Sequence, residues 1–275
     1  MHTKKVGLAT VLALVLALPA SAGAKTLIGS GSSVAQPYMQ ALFAGYHKVN
    51  PRVQFLYTAN GGNAGVKDVQ SGRSQFAVNT RPPLPSDAGT TYVKLFLDGL
   101  CVYVNSSNKL ANLSIGELSD VFTGVRTSWS QIPGSGLSTT IDAVGRDSTA
   151  GSFTFFTAAI LNGQTQGSNV TTQASDGLVA NAIKQDPNAI GYDGLAWQGH
   201  GQKTLRVNGV PCKASKISVE PLKYPLSRYL FLVLPNSGVS PALQKFIDWA
   251  RRSPEAGPTI LAAGGVPAFN KKPKK

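Results

Sequence analysis

Along the chain, short apolar runs alternate with stretches in which apolar residues recur every three or four positions. The runs at residues 26–28, 53–57, 76–78, 100–104, 141–144, 189–192 and 229–234 predict β-strands. Between them, Val34, Tyr38 and Leu42 fall on one helical face. Leu118, Val121 and Phe122 do the same, followed by Phe153, Phe156 and Ile160, then Leu178, Ala182 and Ile183. A further helix is expected from about Val66, and Leu243, Phe246, Ile247 and Ala250 mark a C-terminal one. This alternation predicts an α/β protein with mainly parallel sheets. The Gly- and Ser-rich segments 134–138 and 163–168 read as surface loops. No linker divides the chain into two obvious domains, which fits two lobes between which the chain crosses more than once.

The first residues follow a different pattern. Lys4 and Lys5 precede an uncharged, largely apolar run at 6–18, and Ala22-Gly23-Ala24 predicts cleavage before Lys25. Ala20-Ser21-Ala22 offers a second cut. The run has about 13 residues, short of the roughly 20 that span a bilayer, so residues 1–24 read as an export signal. About 250 residues remain, and a charged fraction of 14% with 29 glycines argues against a disordered or coiled-coil chain. The net charge of +13 falls to +11 once Lys4 and Lys5 are removed, an imbalance that favours anionic partners. The basic tail Lys271-Lys272-Pro273-Lys274-Lys275 reads as solvated. Cys101 and Cys212 could pair in an oxidising compartment, and two buried free thiols fit nearly as well. With only His47 and His200 left and no metal spacing of cysteines, no metal site is expected.

Candidate chemistry gathers where strands end. Gly29-Ser30-Gly31-Ser32-Ser33 follows the first strand, and Ser33 is placed to cap the next helix with Gln36 three residues on. A helix start with free N–H groups seats anions. It is not a dinucleotide fingerprint, because Val34 stands where the last glycine belongs. The arrangement recurs at Gly145-Arg146-Asp147-Ser148-Thr149-Ala150-Gly151-Ser152, where Arg146 offers a planar fork of donors for a tetrahedral oxyanion. A surface Arg146 paired with its neighbour Asp147 is the plainer alternative. Asn60-Gly61-Gly62-Asn63-Ala64-Gly65 and Asn79-Thr80-Arg81-Pro82-Pro83 add two more polar turns at strand ends, the edge where open α/β sheets bind ligands.

In this order the residues resemble the PstS-like periplasmic phosphate-binding components of ABC importers, nearly throughout the mature chain. Asp98-Gly99-Leu100-Cys101-Val102-Tyr103-Val104-Asn105 is similar to the family's crossover strand, and Val121-Phe122-Thr123-Gly124 with Trp129 to its middle segment. Arg146 through Ser152, Ala189-Ile190-Gly191-Tyr192 and Tyr224-Pro225-Leu226-Ser227-Arg228 sit at three further motifs. The Trp129 segment also resembles the DING branch. The resemblance implies a two-lobed type II periplasmic binding fold with crossover hinge strands. Lobe I would take residues 25–103, lobe II 104–227, and residues 228–275 would return to lobe I with the tail. Inorganic phosphate, or a similar oxyanion, would be held by Ser32, Ser33, Gly62, Asn63, Thr80, Arg81, Arg146, Gly151 and Ser152, without a cofactor. A monomer would close on the anion and deliver it to an inner-membrane ABC permease from the periplasm.

Three departures bear on the ligand. Ala150 replaces a serine, the second turn carries Gly62 or Asn63 for one, and Arg81 stands where many members have an aspartate. That aspartate would accept the O–H of hydrogen phosphate, so here Asn63, a backbone carbonyl or Asp147 must do so, or sulfate is poorly rejected. Arg81 either points inward and adds charge or faces solvent before Pro82. Among other functions, hydrolysis is disfavoured: Ser148 and Ser152 lack a G-x-S-x-G elbow, and neither His47 nor His200 sits at a strand end. Nucleic acid is disfavoured because basic residues are scattered without interleaved aromatics. Another oxyanion (sulfate, arsenate or a phosphonate), or a secreted scavenging or adhesion role without a permease, is the remaining alternative.

Overall fold

The computed structural model describes residues 24–217 and 223–269. The leader up to residue 23 and the lysine tail lie outside the described residues, and so do the expectations placed on them. The chain runs β1 (Lys25–Gly31), α1 (Gln36–Val49), β2 (Val53–Thr58), α2 (Gly62–Gln70), β3 (Phe76–Asn79), β4 (Thr90–Asn105), β5 (Asn112–Leu113) and α3 (Ile115–Thr123). It continues through β6 (Asp142–Arg146), α4 (Gly151–Ala159), β7 (Val170–Gln173), α5 (Asp176–Gln185), β8 (Ala189–Gly194), β9 (Gln202–Thr204), β10 (Arg206–Val207) and β11 (Val210–Pro211). The last elements are β12 (Ser227–Pro235), α6 (Pro241–Arg252) and α7 (Ala256–Ala262).

The main sheet has the order β2-β1-β3-β12-β4-β8-β6-β7, with β9 also on β4. Pairing is parallel at both flanks, β1 with β2 and β3, and β6 with β7 and β8. In the centre, β12 and β4 run antiparallel to their neighbours. A short apolar run carries no mark of its direction, so periodicity points to the strands at 100–104 and 229–234 but not to their sense.

β4 is the structural axis. Its first part, residues 90–99, pairs with β12, and its second part, residues 100–104, pairs with β8. The hydrophobic residues sort accordingly into two large cores, with a small cluster of Val66, Val69, Ala77 and Val233 under α2. One is built from residues between Leu27 and Phe96 and again between Leu230 and Ile260; the other from residues between Leu97 and Leu226. In the first, Phe246 packs against Phe55 and Tyr46 with ring centroids 4.8 and 5.3 Å away. In the second, Phe156 of α4 stacks on Tyr192 of β8 at 4.0 Å. Such pairs add about 0.5–1.5 kcal/mol beyond their burial, and this one anchors α4 to the sheet. A disulfide joins Cys101 to Cys212. Two helices depart from the periodicity. α2 starts at Gly62, four residues before the expected Val66, because Gly61 with φ +100° turns the chain. In α5, Leu178 is 47% exposed, and Val179, Ala180 and Ile183 form the buried face instead.

Candidate anion site between the lobes

The turn after β1 is tight by necessity. At Gly31, φ is +123°, and a Cβ there would lie 2.4 Å from Val78 O. The Ser32 N–H donates to the same carbonyl (2.9 Å), which draws the chain off the sheet edge. Ser33 does not cap α1. The helix starts at Gln36 with Ala35 as N-cap and no side-chain cap, since Pro37 has already fixed the first turn. The Ser33 hydroxyl therefore turns into the cleft, where it donates to Asp176 Oδ2 and accepts from the Arg146 guanidinium at 3.0 Å.

Arg146, at the end of β6, is 1% exposed. It donates through Nε to Gln173 O (2.9 Å) and through Nη2 to Ala174 O (3.1 Å), and it is ion-paired with Asp176. The plainer expectation, a surface Arg146 paired with Asp147, is thus overturned. Asp147 accepts instead from the Thr149 N–H (2.9 Å) and hydroxyl at the surface. Asp176 was missed by the sequence reading. At the first position of α5, after the cap Ser175, it reads as an ordinary helix-start acid.

α4 opens at Gly151 with N-cap Ala150 and no side-chain cap, so its first N–H groups keep their donors. A Cβ on Gly151 would lie 2.0 Å from Asn79 Oδ1 and 2.9 Å from Thr80 Oγ1, so this helix end abuts the turn after β3. Thr80 Oγ1 is buried and has no hydrogen-bond partner among the described residues. Ser32, Ser33, Thr80, Arg146, Gly151 and Ser152 are all buried where the two lobes meet.

Gly62, Asn63 and Arg81 are placed differently. The Asn63 and Ala64 N–H groups, at the start of α2, donate to Thr149 O of the opposite lobe at 2.9 and 3.4 Å. Asn63 Nδ2 donates to Ser148 O (2.9 Å), Ala150 O (3.3 Å) and Thr154 Oγ1 (2.9 Å), so the whole amide bridges the lobes. Arg81 neither faces solvent nor presents a free guanidinium. It is 4% exposed, bound to Asp87 at 2.6 and 3.0 Å, and its Nε donates to Asn63 Oδ1 at 2.7 Å. Burial alone would raise the Asp87 carboxyl, but Arg81, the Leu84 N–H and Tyr92 together hold it below the usual range.

A third buried pair links the crossover strands: Arg228 of β12 binds Asp98 of β4 at 2.9 Å, and Tyr38 donates to the same aspartate at 2.8 Å. Each of these arginines thus has its own aspartate, so hydroxyls and backbone dipoles, rather than surplus positive charge, define the seat. Beside Asp176 lies Asp193, also 0% exposed, whose carboxyl is raised well above its usual range by burial and by the charge of Asp176.

A mixed α/β fold of two lobes with polar strand ends meeting between them is that of the periplasmic binding proteins. The chain belongs to this superfamily: the PBP superfamily domain matches residues 18–253. Among its relatives, phosphate-binding protein PstS 2 of Streptococcus pneumoniae is 35% identical over 103 residues, 37% of this chain and 35% of that protein's length. The match to these streptococcal relatives thus spans about a third of their length. Protein SphX of Synechococcus elongatus is 25% identical over 270 residues, 90% of this chain and 79% of its own. Among solved structures, a Clostridium perfringens protein with bound phosphate superposes with a TM-score of 0.83 at 21% identity, over 89% of this chain and all of that one. The periplasmic phosphate-binding protein PfluDING superposes at 0.73 with 15% identity, over 89% of this chain and 91% of its own. At these identities the superpositions bear on the fold.

Proposed function

We propose that this chain captures inorganic phosphate between its lobes outside the cytoplasm and delivers it to an ABC permease, and that it has no catalytic activity. The observation that carries the reading is the buried Thr80 hydroxyl, without a hydrogen-bond partner among the described residues, set against the uncapped start of α4, with Ser33 and Arg146 also buried where the lobes meet. A tetrahedral oxyanion would accept from the Thr80, Ser32, Ser33 and Ser152 hydroxyls, from the N–H groups of Gly151 and Ser152, and from Arg146. Relatives named for phosphate binding support the choice of anion. Lobe I takes residues 25–96 and returns from about 228, and lobe II takes the segment between, an earlier boundary than 103 because Leu97 and residues 100–104 pack in the second core; β4 and β12 form the hinge. The mechanism is closure of this hinge on the anion, followed by docking of the closed form. Gly62, Asn63 and Arg81 serve closure rather than direct contact.

Calorimetry of dialysed protein against phosphate, sulfate, molybdate and a phosphonate tests the reading, with one phosphate per monomer expected. Arg146→Ala removes one partner of a buried ion pair and weakens binding roughly 30- to several-thousand-fold, whereas the exposed Arg206→Ala leaves it unchanged. Equal small losses in both variants would mean that general positive charge holds the anion, and the site assignment would fall.

A further inference from the structure

The carboxylate of Asp98, buried on β4, gathers donors from both lobes and from the other hinge strand. Its Oδ1 accepts from the Tyr38 hydroxyl at 2.8 Å and from the Leu195 N–H at 3.1 Å. Its Oδ2 accepts from Arg228 Nε at 3.1 Å and Nη2 at 2.9 Å. The Tyr38 hydroxyl accepts in turn from the Ala196 N–H at 2.9 Å. Tyr38 packs in the first core and Leu195 in the second, while Asp98 and Arg228 stand on β4 and β12. Each end of this node lies just behind one half of the anion seat. Tyr38 is in the first turn of α1, which follows Ser32 and Ser33. Between them Val34 lies against Gly194 of β8, where a Cβ would come within 2.5 Å of Val34 Cγ1. On the other side, the Arg228 guanidinium lies over the ring of Phe155, 5.4 Å from its centroid. Phe155 shares a face of α4 with Ser152, three residues before it. Arg228 Nη1 has no hydrogen-bond partner among the described residues, which leaves the ring as this cation's contact with α4.

We propose that Tyr38 and Arg228 are positioning residues for anion capture, acting through Asp98. They fix the angle at which the lobes meet, and with it the distance between the two halves of the seat. The proposal rests on the reading of this cleft as an oxyanion site, and in this role neither residue touches the anion. Swinging the lobes apart moves α1 against residues 195 and 196, and the bonds of the Tyr38 hydroxyl tolerate only a few tenths of an ångström before they weaken. Breaking them strands buried polar groups, so the node favours the closed arrangement before an anion arrives. Apparent affinity scales with the fraction of molecules already closed, which makes the hinge a determinant of binding without a contact to the ligand. The Asn63 amide ties the same lobes through α2 and α4, whereas the Asp98 node acts at the hinge strands themselves.

Calorimetry with inorganic phosphate and arsenate, joined to solution scattering, tests this on the wild type, Tyr38→Phe and Phe155→Leu. Tyr38→Phe removes one hydroxyl and keeps the ring, which packs edge-on against Phe96 at 5.0 Å. Phosphate affinity should fall about tenfold. The ratio of phosphate to arsenate affinity should not change, because every group around the anion stays in place. The radius of gyration should increase without ligand and return to the wild-type value at saturating phosphate. Phe155→Leu, which removes the ring beneath Arg228, should weaken phosphate about threefold, again with the ratio unaltered. Wild-type affinity in Tyr38→Phe, even with a lowered melting temperature, would mean that the hydroxyl only supports the fold, and overturns the proposal. A changed ratio overturns it as well, since the residue would then act at the anion. If Tyr38→Phe does not fold, wild-type affinity in Phe155→Leu overturns it. A wild type that binds neither anion would instead overturn the oxyanion reading itself.

Discussion

The N-termini of α2 and α4 face each other across the cleft and are used in opposite ways. Both follow a strand, both begin with glycine, and both lack a side-chain cap. The first N–H groups of α2 are consumed by Thr149 O of the other lobe, whereas α4 starts at Gly151 close beside Thr80 Oγ1, which has no hydrogen-bond partner among the described residues. A helix start is thus an anion site only where the tertiary structure leaves its donors unspent. The same dipole that would seat a ligand serves at α2 as a clasp between the lobes.

The largest effect should come from breaking the α4 side. Gly151→Ala places a Cβ where Asn79 Oδ1 and Thr80 Oγ1 lie, which forces α4 away from the seat. Anion affinity should fall about a hundredfold, as expected for overpacking of a few kcal/mol. Calorimetry showing wild-type affinity would mean that this helix end does not touch the anion. On the α2 side, Asn63→Ala strands Arg81 Nε and three acceptors of lobe II while leaving the seat intact. Affinity should drop about tenfold, mainly through faster release. The radius of gyration without ligand should increase; a scattering curve identical to that of the wild type would show that Asn63 does not hold the lobes together.

The smallest effect concerns Asp87, which holds the arginine that holds Asn63. Because the folded carboxyl lies below its unfolded value, its contribution to stability is present above about pH 4 and is lost as the pH falls through the folded value. Thermal unfolding of Asp87→Asn should lack that part of the acid slope. Parallel melting curves for the variant and wild type from pH 7 down to about pH 3 would remove Asp87 from this account.

What was local was legible in the sequence. Gly31 is dictated by its own backbone angle and by the approach of Val78, and Arg146 and Gly151 stand where a strand passes into a helix, all within reach of pattern and motif. The strand and helix periodicities marked most elements of both cores, because a face buried against one partner leaves a regular trace. Partnerships between distant segments leave no such trace. Asp176 opens α5, far along the chain from the turn after β1 that carries Ser33, and follows Arg146 only after another helix and strand, yet the three converge; Asp193 lies beside them on β8. Arg81 could be read as a ligand or a surface residue, and only the fold around Asp87 and Tyr92 committed it to neither. The direction of β4 and β12 was likewise undetermined by apolar runs that look the same in either sense. The sequence determined which groups could bind an anion, through residue type and backbone freedom. The tertiary structure decided which of them remain unspent, because a buried donor is available only if no other buried acceptor has taken it.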